Sequence, residues 1–219
     1  VYTQMLNNKG GIESDLTVSR LGEKSFLLVV SCATLQRDLS YLNRENNSDK
    51  VIIIVTSSAE GVLSIMGPNS RKLLEAVSPN NFSNLSHPFG TWKNIEIGSG
   101  LARAHRVSYV GELGWEIYIS SEQCAHVFEE IWKLQKEFNF NMCGIHALDS
   151  CRIEKAYRHF GHDITDEDHV VDAGLCFSAD LSKTYFKGKE AILKKRKIGS
   201  TKKMLQFKLN DPTKMIYHN

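Results

Sequence analysis

Apolar and polar residues alternate through VYTQML and IESDLTVSRL, and the NNKGG between them is built of turn formers, so residues 1–21 predict a β-hairpin. FLLVVSC (26–32) hardly alternates, which predicts a strand buried on both faces. ATLQRDLSYLNREN changes to helical spacing, and VIIIVTS (51–57) returns to strand. GPNSRKLLEAV (67–77) opens with Gly-Pro and Asn at a helix N-terminus and places Leu73, Leu74 and Val77 on one face. Residues 78–91, SPNNFSNLSHPFGT, are rich in turn formers and poor in periodicity. Strands follow near 92–98 and 101–109, then the VGELG turn and the strand WEIYIS (115–120). Helical spacing spans about 122–137 and 143–160. After the acidic loop HDITDEDHVVD come a short strand (GLCFSA), a helix (KGKEAILKKRK) and a last strand (KMLQFKL, 203–209).

Strands and helices mix without strict βαβ alternation, which points to an α+β fold. The turn-rich stretch divides the chain into a first subdomain (1–80), a linker (81–91) and a second subdomain (92–219). No GxGxxG or P-loop follows a strand, so the residues themselves indicate no nucleotide site. Composition narrows the class. With 42% hydrophobic and 24% charged residues in 219, the chain belongs among ordinary globular proteins. A net charge of +2 is too small to imply a nucleic-acid partner, and KKRK at 194–197 reads as a solvated helix face. The apolar run VIIIV falls far short of the ~20 residues of a membrane span, so no membrane insertion is expected. Five cysteines form no CxxC pair and no zinc-like cluster with histidine, and no metal is expected. Val1 opens within strand-like sequence and the chain stops at DPTKMIYHN, so it reads as an internal fragment.

Three stretches carry polar groups that a purely structural domain would not need. In GGIESDL, alternation sets Ile12, Ser14 and Leu16 on one face and Glu13, Asp15 and Thr17 on the other. Asp15 then faces either water or a pocket where it meets a substrate amine. In RVSYVGELGWEIYIS (106–120), Glu116 lies between Trp115 and Ile117 and must either reach water or find a donor, because an unpaired buried charge is very costly. Its two oxygens match planar ligands with adjacent N–H donors, such as a guanidinium or a 2-aminopyrimidinone, and Tyr109 and Trp115 would offer a flat surface or a hydroxyl beside such a ring. In LDSCRIEKAYRHFGHDI (148–164), Asp149 and Arg152 are i, i+3 helix neighbours able to pair, and His159 and His162 lack the further ligands a metal needs.

YTQMLNNKGGIESDLTVSRL, IMGPNSRKLLEAV, RVSYVGELGWEIYI, IEKAYRHFGHDI and DAGLCF, in this order, resemble the folate-binding region of the glycine-cleavage T-protein (aminomethyltransferase) family. Within it, MLNNKGGIESDLTVSRL, VGELGWE and EKAYRH are most similar to the sarcosine dehydrogenase branch of mitochondrial flavoproteins. The resemblance implies a T-protein-like region of two α/β subdomains whose C-terminal barrel is missing. It implies that Asp15 orients or deprotonates the amine of tetrahydrofolate, that Tyr109 and Glu116 contact the pterin, and that Arg152 contacts folate. It further implies capture of the oxidised N-methyl group of sarcosine as 5,10-methylenetetrahydrofolate, FAD on an upstream domain, electron-transfer flavoprotein as partner, and the mitochondrial matrix as location. The alternatives are a free-standing aminomethyltransferase, a dimethylglycine dehydrogenase, and a non-catalytic relative like the pyruvate dehydrogenase phosphatase regulatory subunit. Leu148 and Asp172 stand where the T-protein has Arg and Glu, in keeping with a dehydrogenase relative.

Overall fold

A computed structural model describes residues 1–214. The fold is α+β with two small sheets, and the chain divides into two compact units, one from Tyr2–Leu42 together with the chain from His159 on, the other Asn43–Arg158. Among the described residues no helix is long and apolar enough to cross a membrane.

The first unit holds a three-stranded antiparallel sheet in the order β1 (Tyr2–Leu6), β2 (Ile12–Arg20), β3 (Phe26–Val29). The expected hairpin is β1–β2, with Gln4 opposite Asp15. Its turn depends on two glycines. Gly10 has φ +79°, and a Cβ there would lie 2.4 Å from His169 Nε2, while a Cβ on Gly11 would lie 2.6 Å from the Asp166 carbonyl. The NNKGG turn is thus shaped to receive the acidic loop, and Ile12 N–H donates to Asp168 O at 3.1 Å. Helix α1 (Leu35–Glu45) is anchored by Tyr41, whose hydroxyl donates to Leu6 O at 2.8 Å. Leu6, Ile12, Phe160, Ile164, Val170, Leu175 and Ile192 form the core of this unit, Ile192 coming from helix α6 (Lys189–Ile198). GLCFSA, expected as a strand, contains a 3-10 turn at Cys176–Ser178, and KMLQFKL forms no strand. In neither does a neighbouring strand supply a ladder; Leu175 is buried and Met204 lies against the core, while Phe177, Leu205 and Phe207 are exposed.

The second unit holds a four-stranded antiparallel sheet in the order β4 (Glu60–Met66), β7 (Gly114–Ser120), β6 (Gly100–His105), β5 (Trp92–Ile97). One face carries Leu63, Ile65, Ile95, Ile97, Ala102, Ala104, Trp115, Ile117 and Ile119 into a core with Leu73 and Leu74 of α2 (Ser70–Val77) and Val127 and Ile131 of α3 (Ser121–Trp132). The short α4 (Gln135–Phe138) follows, and α5 (Ile145–Glu154) buries only Arg152. VIIIVTS, expected as a strand, is extended but unladdered, with Ile52 and Ile54 exposed. β-propensity without a neighbouring edge does not make a sheet.

The division expected at 81–91 is corrected here. That segment lies inside the second unit, because Phe82 and His87 are fully buried within it. Phe82 meets Trp115 edge-on at 5.4 Å, and Trp115 Nε1–H donates to His87 Nδ1 at 3.2 Å. The sheet also crosses the expected boundary, since β4 pairs with β7 along its length.

Candidate functional site

Strand alternation sends the neighbours of Glu116 to the core and Glu116 to the opposite face. There it stands across from Ser64 on β4 and His105 on β6. The donor that a half-buried carboxylate needs is Tyr118, two residues on, whose hydroxyl donates to Glu116 Oε2 at 2.8 Å. No described residue donates to Oε1. Burial raises the Glu116 pKa, and the Tyr118 hydrogen bond lowers it in part. The same burial, with the carboxylate beside it, pushes the Tyr118 phenol far up, so it stays a donor. The Tyr118 ring lies 4.5 Å from His105, which stacks at 6.1 Å on Trp92. Arg103 reaches both oxygens of Glu60 at 2.7 Å on the same face. The face is a carboxylate acceptor framed by flat rings, suited to a planar ligand that offers N–H donors.

Trp115, expected beside such a ring, is fully buried on the core side and cannot touch a ligand on this face. The rings on the Glu116 face are Tyr118 and His105, both buried, and the half-buried Trp92. Tyr118 was legible from the i, i+2 rule, whereas Trp92 and His105 needed the strand register.

His105 carries a testable pH dependence. Burial, with Arg103 and His87 nearby, lowers its pKa from 6.5 to about 4. A folded-state pKa below the unfolded one means that the unfolded chain takes up the proton first. The stabilising contribution of neutral His105 is therefore complete above pH 6.5 and is lost as pH falls towards 4, at up to about 1.4 kcal/mol per pH unit. Glu116, with its raised pKa, acts in the opposite sense: protonation favours the fold, and that contribution is lost as pH rises. The readout is thus a difference. Urea midpoints of His105→Gln should fall less steeply than those of the wild type between pH 6.5 and 4.5, and parallel curves would contradict the assignment.

Tyr109 donates its hydroxyl to Arg158 O at 2.9 Å and stacks on Tyr157 at 6.3 Å. Arg152 is buried, with Nε donating to Asp149 Oδ1 at 2.6 Å and Nη1 to Tyr157 O at 3.0 Å. Tyr109 and Arg152 therefore meet at the segment 157–158, after α5. Asp15 belongs to the first unit, half-buried on β2, and accepts from Gln4 Nε2 at 2.7 Å. The Gln4 carbonyl accepts from Ser178 Oγ, and Gln4 and Ser178 line a cavity of about 220 Å³ with Tyr41, Lys183 and Lys187. Asp15 is thus held by a group that lines a pocket. Its neighbour Glu13 pairs with Arg37 at 3.3 Å, a structural use of acid.

Residues 1–183 match the family model of the GCVT N-terminal domain. The chain belongs to that family. It is 36% identical over 220 residues to 4-methylaminobutanoate oxidase (formaldehyde-forming) of Paenarthrobacter nicotinovorans, covering all of this chain and 27% of that protein. It is 35% identical over 232 residues to the mitochondrial sarcosine dehydrogenase of Homo sapiens, covering 99% of this chain and 25% of that one. Against the aminomethyltransferase of Halothermothrix orenii the identity is 33% over 212 residues, covering 95% and 58%. The crystal structure of the glycine cleavage system aminomethyltransferase T from Bartonella henselae superposes with a TM-score of 0.75 at 25% identity, covering 90% of this chain and 53% of that one. The chain thus has the T-protein fold and spans about a quarter of the length of the two oxidoreductases it matches.

Proposed function

We propose that this chain binds tetrahydrofolate as the one-carbon-accepting part of a sarcosine dehydrogenase-like enzyme. The observation that carries the reading is Glu116, a desolvated carboxylate whose Oε2 is held by Tyr118 while Oε1 receives no hydrogen bond from any described residue. A pterin offers an amino group beside a ring N–H, which is the donor pair such a carboxylate accepts. When bound, tetrahydrofolate supplies the amine nucleophiles that take up the one-carbon unit.

The protein's own residues then divide the work. Glu116, oriented by Tyr118, fixes the pterin edge, and Trp92, backed by the buried rings of His105 and Tyr118, supplies flat surface beside it. Asp15, steadied by Gln4, accepts the proton released when a folate amine forms its bond to carbon. Tyr109 and Arg152 contribute by holding the 157–158 segment in place for folate contacts. Oxidation of the N-methyl group belongs, in this reading, to an FAD-binding region of the whole enzyme, which passes electrons to electron-transfer flavoprotein in the mitochondrial matrix. The identity to 4-methylaminobutanoate oxidase (formaldehyde-forming) supports a second reading, a longer N-methylamino acid as substrate with formaldehyde as the one-carbon product.

Anaerobic calorimetry with tetrahydrofolate tests the core of this reading, and saturable binding is the expected result. Asp15→Asn should leave affinity within a few-fold but, in the flavin-bearing enzyme, cut one-carbon capture by about 100-fold or more in favour of released formaldehyde. Unchanged partition between the two products would remove Asp15 from the reaction.

A further inference from the structure

On the other face of β7 from Glu116, two arginines converge on a single neutral oxygen. Arg71 of α2 donates from Nε to Phe82 O at 2.9 Å and from Nη2 to Asn84 Oδ1 at 2.6 Å. Arg106 donates from Nη1 to His87 O at 2.7 Å and from Nη2 to the same Asn84 Oδ1 at 2.8 Å. Both guanidiniums lie over the Trp115 ring, at 5.7 and 5.6 Å from its centroid. A third cation, Lys93, donates to Ser86 Oγ at 2.8 Å in the same loop.

Every acceptor these three cations use is uncharged. Among the described residues no Asp or Glu forms an ion pair with any of the three; the acids nearest in sequence are Glu75, one turn from Arg71 on α2, and Glu96 and Glu112. Two guanidinium groups held within hydrogen-bond reach of one amide oxygen repel each other, and no ion pair among the described residues offsets this. Burial and then Arg71 lower the Arg106 pKa. Tying the 81–90 loop to the sheet needs only one donor to each carbonyl, and Nε of Arg71 and Nη1 of Arg106 already provide it. The second nitrogen of each fork is directed at Asn84, which is exposed and displaceable.

We propose that Arg71 and Arg106 form a binding site for the oxyanion group of a small molecule, a phosphate or a carboxylate, whose oxygens replace the Asn84 amide between the two forks. Planar guanidinium forks match such groups with paired hydrogen bonds, and an anion between them removes the repulsion. Trp115 supplies the rigid floor, and Lys93 adds long-range attraction.

The test uses the 219-residue chain with inorganic phosphate and, separately, glutarate, against sodium chloride at matched ionic strength. Binding is read by calorimetry and by the Trp115 indole N–H resonance, assigned with Trp115→Phe. A saturable shift with either anion is expected; phosphate alone identifies a phosphate site and glutarate alone a carboxylate site. Arg106→Gln should weaken binding by about tenfold or more, since a charge-assisted fork is lost, and Asn84→Ala should keep it within about threefold. Where Arg71→Gln proves too unstable to titrate, Arg106→Lys serves, because it keeps the charge without the fork and should lose most of the affinity. Shifts no larger than those with chloride, or binding indifferent to Arg106→Gln, would overturn the proposal.

Discussion

Glu116→Gln is expected to weaken tetrahydrofolate binding by about 10–100-fold, the loss of roughly 1.5–3 kcal/mol in charge-assisted hydrogen bonds, while the protein becomes no less stable. The two effects separate because they have different origins. In the unliganded protein the ionised carboxylate is a cost: burial raises its pKa, so at neutral pH the fold keeps a charge in a place that disfavours it. Gln removes that charge and still accepts the Tyr118 proton through its carbonyl oxygen. Toward the pterin, Gln replaces an acceptor oxygen by an NH2 that faces the ligand's own donors, so one attraction becomes a clash of like dipoles. The pH profile supplies an independent check. A raised Glu116 pKa makes affinity decline on acidification at a higher pH than an ordinary carboxylate would, and Glu116→Gln should abolish that limb. Calorimetry from pH 4.5 to 8, with thermal melts of both proteins, decides. A variant that loses stability and affinity together would mean that Glu116 is a structural residue.

Much of this face is legible in the sequence. Alternation in IESDLTVSR fixed which side Asp15 takes, and the burial along β2 follows that alternation through Leu16. The alternation of WEIYIS likewise implied that Trp115 and Glu116 point apart, a rule that excludes Trp115 as a ligand platform once Glu116 is assigned the ligand face. What the pattern could not supply was pairing. Trp92 and His105 reach the Glu116 face only through the register of β5 with β6 and of β6 with β7, which is a long-range property. EGVLSIM (60–66) lies between two stronger signals, the VIIIV run and the α2 entry, and its strand becomes evident only through its partner β7. VIIIV failed in the reverse sense: high strand propensity, no edge to join.

The linker expectation failed for a chemical reason. SPNNFSNLSHPFGT is full of turn formers because its backbone turns repeatedly, yet it is fastened at two points by residues remote in sequence. Phe82 and His87 dock on Trp115, and Arg71 and Arg106 take up the Phe82 and His87 carbonyls. Single buried anchors in an irregular loop leave no period to detect.

That fastening leads to the second large effect. Trp115→Ala should destabilise the protein by about 3–5 kcal/mol, the range for removing a fully buried aromatic side chain. The void would be only part of the cost. The substitution also takes the donor from His87 Nδ1, a ring that is itself fully buried and whose Nε2 has no hydrogen-bond partner among the described residues. It removes the edge-on partner of Phe82 and the surface beneath both guanidiniums as well. Trp115→Phe keeps most of the volume and a ring for the cations but loses the indole N–H, so it isolates the hydrogen bond and should cost about 1–3 kcal/mol. Urea unfolding gives the totals, and hydrogen exchange shows where they fall: amides of 82–91 should lose protection in Trp115→Ala well before those of β1 and β2 in the other unit. Uniform loss of protection would mean that Trp115 supports the core without specifically holding the loop. A cost below about 1 kcal/mol would be incompatible with the packing described, since so small a value belongs to exposed side chains rather than to a ring buried between a histidine, a phenylalanine and two cations.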